Sequence, residues 1–128
     1  MTNQETTDVV DFEISRMLVG LSHSLERPLA TSKSSLIFEF GPEIETILRG
    51  NCQRLGETLK NLVKGAIAYP DYGNVLMVIH TEQLGTDRVL LKFEIRSFHR
   101  HGPTFRFYAG LPRAMTQEGL RPSPDVRA

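Results

Sequence analysis

The chain has 128 residues, with 15 basic and 15 acidic side chains, so its formal net charge is zero. A neutral chain has no global field that attracts nucleic acid or an acidic membrane. Cys52 is the only cysteine, which excludes an internal disulfide and a multi-cysteine zinc site. No apolar run reaches the length of a membrane span, and the first residues lack the build of a secretion signal. We expect a cytoplasmic protein that binds neither nucleic acid nor membrane.

Apolar residues recur at helical spacing from Val10 to Leu29 and predict a first amphipathic helix. Pro28 is expected to kink this helix or to end it near Arg27. The polar residues 1–8 are expected to be flexible.

A second amphipathic helix is predicted from Asn51 to Tyr69, because leucines and other apolar residues recur there every three or four positions. The side-chain oxygen of Asn51 can cap the free amides of its first turn. Pro70 cannot continue the helix, since it has no amide donor and its ring clashes with the preceding turn.

Between the helices, a polar linker at Thr31–Ser35 precedes a short strand at Leu36–Phe40. Residues Glu43–Leu48 are expected to form one helical turn. After the second helix, Pro70–Gly73 is a turn and Val75–His80 is an unbroken apolar strand.

The clearest strand follows a polar loop at Thr81–Asp87. Its apolar side chains alternate with charged ones, which predicts a buried face and a solvated face; the apolar set is Val89, Leu91, Phe93 and Ile95. This strand and the preceding one are expected to form an antiparallel hairpin. Phe105–Tyr108 alternates in the same way and predicts an edge strand, Leu111–Glu118 a short helix, and residues 119–128 a flexible tail.

These elements predict an α+β fold, a two-layer sandwich with two helices on one face of a mostly antiparallel sheet. One domain is expected to span residues 9–118.

The second helix carries a motif. Residues Gly50 to Tyr69 read Gly-Asn-x-x-Arg-Leu-Gly-Glu-Thr-Leu-Lys-Asn-Leu-Val-Lys-Gly-Ala-Ile-Ala-Tyr, and Gly73-Asn-Val75 follows. This order resembles the ATP-binding domain of bacterial sensor histidine kinases, where the segment reads Gly-Asp-x-x-Arg-Leu-x-Gln-x-Leu-x-Asn-Leu-x-x-Asn-Ala-x-Lys-Phe-Thr and then Gly-x-Val. The match is ungapped across the helix and covers about residues 9–102. The resemblance implies that this chain has a truncated version of that family's α/β sandwich.

The departures from the family pattern fall on its nucleotide site. Gly65 replaces the asparagine that holds magnesium in the family, and glycine has no side-chain oxygen for a hard cation. Ala68 replaces a lysine near the phosphates, and Ser97 replaces the aspartate that reads adenine. The glycine-rich lid is not recognisable in residues 103–128. Asn61 and Tyr69 match positions that line the family's nucleotide site, as remnants.

The resemblance and its departures together predict a degenerate domain that has lost magnesium and ATP binding, with no cofactor and no catalytic residue. We expect a protein-binding regulator of two-component signalling. Its partner is expected to be a sensor kinase, a response regulator or a second copy of the chain. The edge strand at Phe105–Tyr108 and the first helix are candidate contact surfaces.

Two alternatives stay open. Ser22-His-Ser-Leu-Glu-Arg-Pro-Leu29 resembles the phospho-acceptor box of the same kinases, which would make His23 a phosphorelay histidine. The acidic neighbour of the family histidine is Ser24 here, and the chain after His23 is short for a helical hairpin. The second alternative is residual ATP binding through Asn61 and Tyr69.

A basic stretch at residues 99–101, His-Arg-His, lies near Arg96 and Arg106 and could grip an anion. A solvated loop is the simpler interpretation. Two histidines without a third ligand give little support for a metal site. Cys52 lies beside the start of the second helix and is expected to be packed.

Overall fold

The computed structural model describes residues 9–41, 44, 47–99 and 102–112. Three helices and six strands are assigned within these ranges. In chain order they are β1 (Val10–Glu13), α1 (Ile14–Ser24), α2 (Glu26–Thr31), β2 (Leu36–Phe40), β3 (Ile47–Gly50), α3 (Cys52–Ile67), β4 (Val75–Leu84), β5 (Arg88–Ser97) and β6 (Phe105–Pro112).

The main sheet has four strands in the order β2-β4-β5-β6. β2 runs parallel to β4, whereas β4, β5 and β6 pair antiparallel with one another. β1 and β3 form a separate antiparallel pair. The helices pack on one face of the main sheet and share a single hydrophobic core with it. The predicted α+β sandwich with a mostly antiparallel sheet is therefore confirmed.

The β5 strand places its apolar and charged residues on opposite faces of the sheet. Its four alternating apolar residues are almost completely buried: Val89, Leu91, Phe93 and Ile95. The residues between them are only half-buried. Since side chains of a strand alternate between the two faces, the helices cover only one face of the sheet.

Helix α3 buries one apolar face, formed by Leu55, Leu59, Val63 and Ala66. The amide of Arg54 donates to Asn51 Oδ1 at 3.0 Å, so the predicted N-cap is confirmed. The helix ends at Ile67, with Ala68 as its C-cap, three residues before Pro70. Its buried face anchors it to β4 and β5, and its opposite face is exposed.

The prediction of one helix from Val10 to Leu29 was wrong. Residues Val10–Glu13 form a strand because their backbone pairs with β3 rather than with a following turn. The helical part is divided at Leu25 into α1 and α2. Pro28 causes this break, since it offers no N–H to the carbonyl of Ser24 and its ring would clash with that carbonyl.

Three further boundaries differ from the sequence expectation. Ile47 and Leu48 belong to β3 instead of a helical turn, because they pair with β1. β4 continues to Leu84 through a register shift between Thr81 and Gln83, so the connecting loop is only residues 85–87.

Leu111 and Pro112 end β6 rather than starting a helix. The rest of that predicted helix, part of the predicted turn at 43–48, and the predicted flexible segments 1–8 and 119–128 lie outside the described residues. No helix of the described part is long and apolar enough to cross a membrane.

Candidate functional site

Three positions that the sequence resemblance assigns to the nucleotide site form one stripe along helix α3 and its C-cap. Asn61, Gly65 and Ala68 follow one another at helical spacing, and all three are exposed. A β-carbon placed on Gly65 would meet no atom within 4 Å. Packing therefore does not require a glycine there, and the stripe offers a single side chain with an oxygen, that of Asn61.

An open cleft of about 520 Å³ lies where α3 ends. It contains Ala68 and Tyr69, whereas Asn61 and Gly65 lie outside its lining, which is Ser32, Ser34, Ile67, Ala68, Tyr69, Pro70, Asp71, Tyr72 and Gly73. The ring of Tyr69 is 48% exposed, and its centroid lies 6.2 Å from that of Phe105. Asn61 and Gly65 thus lie outside the cleft, Tyr69 lies in its lining, and Ala68 belongs to both the stripe and the cleft.

Ser97 lines neither the stripe nor the cleft and is 1% exposed at the end of β5. Its hydroxyl donates to the carbonyl oxygen of Tyr72 at 2.7 Å. Ser97 Oγ also accepts from the backbone N–H of His99 at 3.2 Å. Both bonds are internal to the fold. The position that the sequence resemblance assigns to adenine reading therefore carries a hydroxyl that joins two chain segments.

Tyr72 is the main residue of this region that the sequence did not reveal. It is 2% exposed, and its hydroxyl donates to the carbonyl oxygen of Pro103 at 2.8 Å. Gly102 has φ +83°, and a β-carbon there would lie 2.9 Å from the Tyr72 ring. Burial raises the pKa of the Tyr72 phenol above its ordinary value. The ring fills the space between β5 and residues 102–104.

The available sequence signal for Tyr72 was an aromatic residue inside the turn Pro70–Gly73. Turn residues are usually exposed, so a large ring there indicates packing into the domain. Next to this turn, Asn74 Oδ1 accepts from the N–H of Ser35 at 2.9 Å, and the N–H of Phe98 donates to the Asn74 carbonyl at 2.8 Å. Asn74 therefore ties the turn to both β2 and β5.

His23 lies on the surface of α1, with its side chain 72% exposed. Its Nδ1 is 3.9 Å from Glu26 Oε2, so the nearest carboxylate is one turn along instead of at Ser24. The helix after His23 is the six-residue α2, and α1 packs against α3. Within the described part of the chain, His23 stands on a single short helix rather than on a helical hairpin.

The basic stretch is only partly described. His99 is exposed, Arg106 pairs with Glu94 at 3.3 Å, and residues 100–101 lie outside the described ranges. Cys52 is partly buried, and burial raises the pKa of its thiol, which keeps it protonated at neutral pH. Among the described residues, no three His, Cys, Asp or Glu side chains are grouped to hold a metal ion.

No protein-family model matches the sequence, and no curated protein matches it. Solved structures do resemble the fold. A histidine kinase from Burkholderia phymatum is 15% identical, with a TM-score of 0.53 over 75% of this chain and 43% of that one. The catalytic domain of histidine kinase ThkA is 18% identical, with a TM-score of 0.51 over 70% of this chain and 58% of that one.

A third similar structure is full-length ShkA in complex with AMPPNP. It is 15% identical, with a TM-score of 0.53 over 68% of this chain and 18% of that one. The chain spans less than two thirds of each of these proteins. At such identities the likeness concerns the fold, and the chain has the fold of a histidine kinase catalytic domain.

Proposed function

We propose that this chain is a degenerate kinase-type ATPase domain that neither binds nor turns over ATP. It acts instead by binding a protein in bacterial two-component signalling. The partner is a sensor kinase, a response regulator or a second copy. The fold supports the signalling context, and the chemistry of the altered positions supports the loss of ATP.

The observation that carries the proposal is the bond between Ser97 and Tyr72. Ser97 Oγ lies 2.7 Å from the Tyr72 carbonyl oxygen, and the Tyr72 ring packs tightly against Gly102. At the position that the sequence resemblance assigns to adenine reading, a nucleotide base would meet this buried ring and a hydroxyl that already has its partners. Displacing them would leave buried polar groups unpaired, which is unfavourable.

The second support comes from the stripe on α3. Magnesium binds oxygen ligands, and Gly65 supplies none from a side chain. Phosphoryl transfer depends on positioning and on charge neutralisation around the phosphates. Asn61 and Tyr69 remain, but they lie apart on the helix stripe and in the cleft. These two residues do not replace the three groups that the resemblance implies are lost, which are the magnesium ligand, the lysine near the phosphates and the aspartate that reads adenine.

The test is thermal unfolding with AMPPNP, ATP or ADP in the presence of Mg²⁺. A ligand that binds only the folded state raises the melting temperature, and a concentration 100 times the Kd contributes about 2.7 kcal/mol. Full-length ShkA, whose solved structure contains AMPPNP, is the positive control. We expect no shift for this chain at concentrations that shift ShkA. A saturable rise in melting temperature would contradict the proposal.

A second candidate function is phosphotransfer through His23. It is favoured by the exposure of the imidazole, whose Nδ1 lies 3.9 Å from the Glu26 carboxylate. Incubation with a phosphorylated response regulator should then place an acid-labile phosphate on the chain. The variant His23→Gln should abolish the labelling. Equal labelling of this variant, or none of the parent chain, would eliminate the candidate.

A further inference from the structure

A groove of about 430 Å³ runs between α2 and the C-terminal half of α3. We call it the α2–α3 groove. Its lining combines apolar side chains with two cations and consists of Arg27, Pro28, Thr31, Ser32, Lys64, Ile67 and Ala68. Asn61 and Gly65 are not part of it, whereas Ala68 belongs both to the groove and to the stripe, so the two surfaces adjoin at Ala68.

Arg27 and Lys64 place two cations in the lining of the α2–α3 groove. Both residues are exposed, and neither forms an ion pair within the described part of the chain. The closest acidic neighbour in sequence, Glu26, lies 3.9 Å from His23. In a chain of zero net charge, this is a local preference for an anion.

The apolar part of the lining limits the kind of anion. Pro28, Ile67 and Ala68 offer hydrocarbon surface between the two cations. A free phosphate or a wholly polar acidic tail would leave that surface in water. A ligand with an apolar side chain flanked by carboxylates satisfies both parts of the lining.

We propose that the α2–α3 groove binds an acidic amphipathic segment of a partner protein. An apolar side chain of that segment packs on Pro28, Ile67 and Ala68, and its carboxylates face Arg27 and Lys64. Exposed charge pairs mainly set orientation and association rate, whereas the apolar contact supplies affinity. This inference rests on the proposed function, because it names the surface through which the regulator meets its partner.

The probe is a synthetic helical peptide of about 16 residues with leucines on one face and flanking glutamates. The control peptide carries glutamine for every glutamate. Both are titrated into the full ¹⁵N-labelled chain. We expect amide shifts confined to residues 26–34 and 64–73, and about tenfold tighter binding of the glutamate peptide at low salt. Equal affinity for the two peptides, or shifts centred elsewhere, would overturn the proposal.

Neutralising variants localise the effect. Arg27→Gln and Lys64→Gln should each weaken the glutamate peptide several-fold and leave the glutamine peptide unaffected. Arg54→Gln is the matched control, since Arg54 is an exposed cation near the other end of α3. An Arg54→Gln effect equal to that of Lys64→Gln would mean that general charge, and not the groove, attracts the peptide. The spectra of the free variants establish that each remains folded.

The same spectra separate failure of this inference from failure of the proposed function. Shifts at Asn61 and Gly65 on adding Mg²⁺ and AMPPNP would refute the loss of nucleotide binding. No response to either nucleotide or peptide would refute the groove proposal alone. Sedimentation of the free chain tests for a second copy as the occupant. If the free chain self-associates and Lys64→Gln abolishes this self-association, the proposal that the groove binds an acidic segment of a partner protein would be overturned.

Discussion

The hydroxyl of Ser97, at the position that the sequence resemblance assigns to adenine reading, accounts for two hydrogen bonds. A carboxylate in its place would be buried beside the carbonyl oxygen of Tyr72, and the described hydrogen-bond partners of Ser97 include no cationic side chain. The serine is therefore suited to this fold, since a neutral donor is what a buried carbonyl needs.

Replacement of Ser97 tests this role. Ser97→Ala leaves the Tyr72 carbonyl and the His99 amide without a partner, and should lower the free energy of unfolding by about 1–3 kcal/mol. Urea denaturation measures the change. Ser24→Ala is the control, because that hydroxyl makes one local bond within α1 and its loss should cost less than about 0.5 kcal/mol. Equal effects of the two variants would remove the special role of Ser97.

Tyr72 predicts a pH dependence at the alkaline end. Burial raises the pKa of its phenol above the ordinary value of 10.0, so the native chain holds this proton to a higher pH than the unfolded chain does. The resulting stabilisation is complete below pH 10 and is lost as pH rises through the native pKa. Urea denaturation between about pH 9 and 11 should show this decline.

The variant Tyr72→Phe isolates the contribution of Tyr72 ionisation to the loss of stability at alkaline pH. It should also lose about 1 kcal/mol at neutral pH, because the carbonyl of Pro103 is left without its donor. Its decline between pH 9 and 11 should be shallower than that of the parent chain. Parallel curves for the two proteins would show that Tyr72 is not the titrating group.

At this scale the assignment of Gly65 and Ala68 to positions of the kinase nucleotide site stays a prediction. Their exposure agrees with helical spacing, but the sequence did not predict which contacts the residues at such positions make. The hydrogen bond between Ser97 and Tyr72 could not be predicted from the sequence, because it joins residues from different parts of the chain. Only the fold determines which carbonyl lies opposite a given hydroxyl.

Among the elements, α3 carries a glycine that its own packing does not need. A β-carbon at Gly65 would contact nothing, and glycine is unfavourable inside a helix. Gly65→Ala should therefore raise the free energy of unfolding by about 0.5–1 kcal/mol, measured by urea denaturation.

Gly102→Ala is the opposing control for that prediction. Its φ of +83° and the 2.9 Å approach to Tyr72 mean that an added β-carbon must displace the ring or the chain. This variant should be destabilised. A loss of stability in Gly65→Ala would show that the backbone of α3 needs glycine after all.

The helices and strands differed in how well they could be predicted from the sequence. β5 was predicted correctly because its apolar residues alternate with more polar ones, and this alternation matches one buried and one half-buried face of the strand. β1 and β3 were missed, because each has four residues and their pairing joins distant parts of the chain. The apolar spacing of Val10 and Ile14 fitted a helix equally well, and tertiary pairing decided between the two.

For the molecule as a whole, the central strands should be the most stable part. β4 and β5 are each paired on both sides, whereas β1 and β3 pair only with each other. Two-stranded sheets are marginal by themselves. Native-state hydrogen exchange should therefore be slowest at Leu91, Phe93 and Ile95 and faster by orders of magnitude in β1 and β3. Uniform protection across both sheets would contradict this ranking.

The parallel pairing of β2 with β4 also has a consequence for the order of assembly. The Ser35–Asn74 bond at the start of this pair joins residues 39 positions apart. β4, β5 and β6 are sequential neighbours that need only short loops. Because closing a long loop has a larger entropic cost, we expect β2 to join the sheet late in folding. A strand that joins late at an edge can also be replaced by its counterpart from another molecule, which makes β2 the place where strand exchange would begin.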